Sequence, residues 1–515
     1  MIYERPARNG SWLVWHACTC CWAFLAFALS IVILALLIDT RNTVSDGSGG
    51  GTGTTSPVSR TASASDAAAL AALEKFSLFA TDISGADHTP LAAGETGRGF
   101  GAQLGPLRAA RAMAIVNIAM VDSVCAATHG CVPYTDVPFA DKTRELSLSA
   151  AVAAAARDTL LVLYPDYRQQ MLAKANQHLN SIASGAAKSN GVALGQEAAR
   201  RINELRANDG SAHAEPAAEL FESQEAGKWR RDPITQVAIA MGGLWAQRVA
   251  PFVIERADQF RLPPPPALES EEYAMEYYEV KACGGDGMTS TTVRDAWDTF
   301  VGVFWGYDGT PSLCAPPRLY LQMCWALAAQ QNFDLVKSAR FVGSFAVIEA
   351  DAGLAAWDSK YHYMRERPIT AVRSSAFADN NELTVGDAAW VPLGAPNTNS
   401  AKPNFSPPFP DYPSGHATFG GAMGATMREF VGSDTFMLQF TSDEYNGKSR
   451  DNRGTVRPHV PRAFSSATEI ETENADSRIQ LGIHFRSAAT QGIAQGRAVA
   501  QFALPRLYRA LSREK

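Results

Sequence analysis

The sequence predicts an all-α protein: two helical bundles preceded by one transmembrane helix. Three observations lead there. Apolar residues recur with helical period over most of the chain, while strand-like alternation is scarce. Loops rich in Pro and Gly separate the helical stretches, notably 263–266, 284–289 and 392–413. And no charged side chain occurs between Arg8 and Asp39, so that 12–38 is long and apolar enough to cross a bilayer. A chain of 515 residues has room for two lobes and an anchor. Its formal charge of -6, with no basic stripe, argues against nucleic acid as a partner.

At the start, 1–11 reads as a short cytoplasmic segment and 12–38 as a signal anchor. Arg5 and Arg8 precede the span, and Asp39, Arg41 and Asp46 follow it. That bias predicts a single-pass membrane protein with its body on the lumenal or extracellular side. A cleaved targeting peptide is the alternative. Cys18, Cys20 and Cys21 suit acylation or apolar packing. Residues 39–65, rich in Gly, Ser and Thr, read as a flexible linker.

The body divides into an N-terminal bundle, 66–300, and a second bundle, 301–515. Helical period predicts helices at 67–80, 107–127, 147–163, 167–186, 192–207, 234–250 and 291–306, then at 318–331, 333–360, 415–431 and 476–504. An internal repeat is visible. Arg111 is followed eleven residues later by Asp122, and Arg340 at the same offset by Asp351, both in helices rich in small residues. In an oxidising lumen, Cys125 with Cys131, or Cys283 with Cys314, could pair.

Three stretches of the second bundle carry chemistry. The first holds Trp357, Lys360 and Arg367. If helical, the two cations sit on one face about 10 Å apart along the axis, and Pro368 stops the helix. The second is Pro413-Ser414-Gly415-His416, a turn that opens a helix. Ser414 is a good N-cap type, and the first turn of a helix offers bare N–H groups to an oxyanion. The third runs from Arg478 to His484. Six residues apart on an unbroken helix they are about 240° apart, so either Gly482 disturbs the helix or the Arg side chain reaches around. Together the stretches supply three cations, a hydroxyl, a helix-terminal N–H and two imidazoles. That set balances a buried tetrahedral oxyanion of high charge.

The pattern Lys-x6-Arg-Pro, then Pro-Ser-Gly-His, then Ser-Arg-x5-His resembles the superfamily of vanadium-dependent haloperoxidases and type 2 phosphatidic acid phosphatases. The flanks 304–318, 390–399, 407–423 and 474–484 are similar to the vanadium chloroperoxidase type. The resemblance implies a vanadate cofactor held by Lys360, Arg367, Ser414, Gly415 and Arg478, with His484 as the axial ligand. It implies His416 as the acid–base group, Asp308 as partner to Arg478, and Trp357 and Phe409 as the halide pocket. Phe409 is the chloroperoxidase-like choice. The implied partners are hydrogen peroxide, a halide ion and an organic acceptor, with hypohalous acid as product. Lys360 would polarise the peroxide. In one respect the chain departs from the family. Ala488 stands four residues after His484, where the family usually carries Asp; Ser487 or a backbone carbonyl is expected to replace that carboxylate. A phosphatase acting through a phosphohistidine at His484 is the alternative within the superfamily. A silent anion-binding domain is the alternative outside it.

Overall fold

The computed structural model describes residues 63–374 and 379–511. The expected span at 12–38 lies outside them. The linker ends earlier than expected: Ser63 caps the first helix, its hydroxyl accepting from the Asp66 N–H at 3.1 Å.

Helices α1 (Ala64–Asp87), α2 (Pro106–Thr128), α3 (Leu148–Leu163), α4 (Arg168–Asn180) and α5 (Ala186–Arg206) come first. Then follow α6 (Trp245–Arg248), α7 (Glu271–Gly284), α8 (Ala296–Phe304), α9 (Pro317–Gln330), α10 (Leu335–Tyr363) and α11 (Pro368–Arg373). Helices α12 (Gly415–Val431), α13 (Ala467–Gln480) and α14 (Arg486–Ala503) complete the set, with an antiparallel pair of strands, β1 (Thr435–Phe440) and β2 (Arg462–Ser466), between α12 and α13.

Helix α2 is apolar almost all round, and such a helix must be buried. It is long and apolar enough to cross a membrane, yet it lies wholly inside the protein. It packs against α10, which touches α12 and α14 as well. Helices α12 and α14 run close because Gly496 has no side chain: a Cβ there would sit 1.9 Å from the Thr418 carbonyl. This packing fixes the N-terminus of α12, where the Pro-Ser-Gly-His motif lies.

The repeat shows a matching device in both halves. On α2, Asp122 accepts the N–H groups of Tyr134 and Thr135 at 2.6 and 2.8 Å and the Thr135 hydroxyl. On α10, Asp351 accepts the N–H groups of Phe252, Val253 and Ile254 at 2.6–2.9 Å. Each carboxylate is fully buried and holds a loop across its helix. Cys125 and Cys131 form a disulfide, while Cys283, Cys314 and Cys324 are free.

Several expected boundaries move. The helix expected at 234–250 survives only as α6. Asp232 captures the N–H groups of Ile234 and Thr235, Gln236 and Gly242 take positive φ, and Ile239 bridges to Ala217 in extended form. Ile234 and Thr235 lie in the turn that Asp232 caps, and the β-branched Val237-x-Ile239 suits the extended stretch after it. Pro368 does not stop a helix. Helix α10 ends at Tyr363, Met364 is left-handed (φ 55°), and Pro368 opens α11 at its first position. The helix expected at 476–504 is two helices, broken at Gly482 (φ 71°). Helix α7 and the first two turns of α13 were not expected. The latter begins at a cap in which Ser466 accepts from the Glu469 N–H.

Candidate functional site

Lys360 lies in the last turn of α10 and is fully buried. Its ammonium donates to the carbonyls of Pro410, Asp411 and Pro413, at 2.8, 2.9 and 2.5 Å. It also stands over the rings of Trp357 and Phe409. The loop before the motif is thus folded around this cation. Arg367, just before α11, reaches into the same region. Its Nε donates to the Phe409 carbonyl and its Nη1 to that of Ile483, at 2.9 and 2.8 Å. Its Nη2 is buried with no acceptor.

The break at Gly482 does the work that an unbroken helix could not. It turns His484 back toward the pocket that Arg478 enters from the end of α13. Arg478 donates to the Trp305 carbonyl at 2.9 Å, is steadied by Ser477 Oγ, and meets Asp308 Oδ2 at 3.3 Å. The expected Asp308–Arg478 pair is therefore present. His416 follows Gly415 in the first turn of α12, whose N-cap Ser414 accepts from the Ala417 N–H. The His416 Nε2 lies 2.8 Å from the Gly306 carbonyl, so that nitrogen carries the proton. Its Nδ1 keeps a lone pair and faces Asp308 at 4.0 Å. For His484, Nδ1 lies 2.7 Å from Asp411 Oδ1, and Arg367 Nη1 stands over the ring, 2.9 Å from Nε2 and 3.5 Å from Nδ1.

Burial dominates the electrostatics. It holds both imidazoles well below the usual histidine range, helped for His416 by Arg478 and for His484 by Arg367 and Lys360. It lowers the Lys360 ammonium far below its ordinary value and the Arg367 guanidinium to about 10. It pushes Asp411 up to about 7 and raises Asp308, against the pull of the neighbouring cations. Three cations and two carboxyls thus share one desolvated region, with a bare N–H of Arg367 left over. A tetrahedral oxyanion fits that surplus. Gly415 leaves it room: a Cβ there would stand 3.1 Å from the Trp357 ring.

The pocket opens into a cleft of about 660 Å³. Asp308, Trp357, Phe409, Gly415, His416 and His484 all line it. The Trp357 and Phe409 rings meet with centroids 4.8 Å apart and planes tilted by 53°, and Trp357 Nε1 donates to the Met241 carbonyl. The remaining expected residues, Lys360, Arg367, Ser414 and Arg478, are buried just behind this wall. Six of the ten residues expected at the site therefore line one cleft, and the other four are buried beside them. Asp411 was missed there. Its signal was a carboxylate inside the Phe409–Ser414 loop of a chain that lacks one at Ala488. Ser487 turns to Glu276 instead, which both its N–H and its side chain engage.

Known proteins resemble this chain in sequence and in fold. The vanadium chloroperoxidase of Curvularia inaequalis is 35% identical over 268 residues, which cover 45% of this chain and 43% of that protein. The chain thus spans less than half the length of that curated relative. A bacterial vanadium-dependent iodoperoxidase superposes with a TM-score of 0.66 at 24% identity, covering 86% of this chain and 97% of its own. A holo-type bacterial vanadium-dependent chloroperoxidase gives 0.57 at 16% identity, with coverages of 78% and 93%. Residues 340–513 match the family described as the VCPO second helical-bundle domain. The described chain has the fold of the vanadium-dependent haloperoxidases, and its segment 340–513 matches the VCPO second helical-bundle family.

Proposed function

We propose that this chain is a vanadium-dependent haloperoxidase, which oxidises a halide with hydrogen peroxide to hypohalous acid. The observation that carries the reading is the desolvated cage of Lys360, Arg367 and Arg478 around the two buried imidazoles of His416 and His484. Vanadate would be held by those three cations, by Ser414 and the Gly415 N–H, and by His484 Nε2. When bound, it supplies Lewis-acid activation of peroxide without changing its own oxidation state. The protein does the rest. His416 Nδ1 accepts the peroxide proton, while Asp308 and the Gly306 carbonyl hold its ring. Lys360 brings a positive charge to the oxygen that the halide attacks. Trp357 and Phe409 keep water from the halide side. A cleft of about 660 Å³ greatly exceeds what peroxide and halide need, and its largely apolar wall suits an organic acceptor.

We further place the vanadate bundle at 301–515, after a helical bundle at 66–300, with the body anchored by 12–38 on the lumenal or extracellular side. The Cys125–Cys131 disulfide supports an oxidising compartment. The full-length chain should resist carbonate extraction from membranes, and deletion of 12–38 should release it.

The deciding experiment follows monochlorodimedone halogenation with peroxide and chloride, bromide or iodide, with and without added vanadate. Vanadate-dependent halogenation is expected, and it should vanish in His484→Ala. Phosphate-ester hydrolysis that vanadate inhibits would instead make the chain a phosphatase.

A further inference from the structure

We propose that Asp411 is the positioning residue for His484, and that it takes over from the loop the task of the carboxylate the chain lacks at Ala488. The inference rests on the vanadate-site reading above. Asp411 is 1% exposed, and its Oδ1 lies 2.7 Å from His484 Nδ1. Neither carboxylate oxygen has a well-aligned hydrogen bond from any group, and the close approach of His484 Nδ1 is a contact by distance. A buried acceptor of this strength without a donor is costly, and the imidazole beside it is the donor in reach. Arg367 Nη1 stands 2.9 Å from Nε2 and 3.5 Å from Nδ1, over the ring and out of line with the Nε2 lone pair. A proton held on Nδ1 leaves the Nε2 lone pair free, which is what a metal-binding imidazole requires.

The loop is built to hold that carboxylate still. The Asp411 N–H donates to the Arg365 carbonyl at 2.9 Å. Its own carbonyl, with those of Pro410 and Pro413, receives the Lys360 ammonium. Lys360 therefore fixes the segment that carries the orienting group, besides supplying charge. Ala488 could not serve: its side chain has no polar atom, and its carbonyl already accepts the Ser414 N–H at 2.9 Å.

Two roles for Asp411 predict opposite signs. If it only offset the neighbouring cations, its removal would leave the cage more positive and bind an oxyanion more tightly. If it positions His484, removal weakens vanadate despite the added positive charge. The test titrates orthovanadate by calorimetry into full-length wild type, Asp411→Asn and Asp411→Ala, each checked for an unchanged circular dichroism spectrum. We expect vanadate affinity to fall roughly 10- to 100-fold in Asp411→Ala. Asp411→Asn, which keeps one acceptor oxygen at the same place, should fall less. A second readout needs no vanadate: the ¹⁵N resonances of the His484 ring, assigned by their loss in His484→Ala. Wild type and Asp411→Asn should show the Nδ1-protonated tautomer, and Asp411→Ala should lose it. Affinity that is unchanged or tighter in both variants, or a His484 tautomer indifferent to Asp411, overturns the proposal. If wild type binds no vanadate, the functional reading fails, while the ring spectrum still decides the role of Asp411.

Discussion

Arg367 Nη2 is the donor in the cage with no acceptor, and it stands beside two other buried cations. An anion that satisfies it should stabilise the folded protein by mass action. At a hundred times its dissociation constant, vanadate or inorganic phosphate should add about 2.7 kcal/mol. Thermal unfolding with and without the anion measures this, and Arg367→Met should abolish the shift. The two imidazoles make a separate prediction. Both are held well below the unfolded value near 6.5, so the unfolded chain binds more protons as pH drops. The stability that His416 and His484 contribute is present above that value and is lost as pH falls below it. Each ring contributes a slope of at most about 1.4 kcal/mol per pH unit. Urea unfolding between pH 7.5 and 5.5 should show a shallower loss in His416→Gln than in wild type.

At the scale of elements, the joint between α13 and α14 determines whether the site exists. Gly482 has φ 71°, and a Cβ there would lie 2.6 Å from the Gly284 carbonyl and 2.9 Å from Pro392 Cβ. Gly482→Ala should cost about 2–4 kcal/mol from overpacking and left-handed strain together. It should also move His484 and so weaken vanadate binding more than the stability loss explains. This joint shows what the sequence could and could not say. Arg478 and His484 were recognisable from their motif, and their six-residue spacing already left a break at Gly482 as one of two options. The break itself depends on Gly284 and Pro392, distant in sequence, which no local pattern reveals. Pro368 misled for a related reason: a proline ends one helix or begins another, and the left-handed turn at Met364 decides which. At 234–250 the helical period misled because Asp232 folds Ile234 and Thr235 into a turn. Asp411 stayed hidden because its meaning comes from His484, more than seventy residues away. By contrast, α2, α10 and α12 were legible, since their apolar runs are long and their caps are local.

Across the whole molecule, the paired devices at Asp122 and Asp351 tie a loop to each of the two central helices. Replacing either by Ala would leave two or three buried N–H groups without an acceptor. A loss of about 3 kcal/mol or more is expected for each, with little direct effect on the cage. Equilibrium unfolding of the two variants tests this, and near-neutral values would show that the loops are held by packing alone. The cleft wall has a consequence of its own. An enzyme that releases hypohalous acid bathes its own exit in an electrophile that attacks sulfur, amines and phenols. The lining includes Pro90, Pro106, Pro311, Pro403, Pro407 and Pro408, saturated rings without an N–H, and neither cysteine nor tyrosine occurs in it. Among the described lining residues, Met241 is the one thioether and Lys402 the one amine, and a thioether is oxidised more readily than a protonated amine. During prolonged turnover the first lesion should be a sulfoxide at Met241. Peptide mass spectrometry would locate it, and Met241→Leu should lengthen the working life of the enzyme.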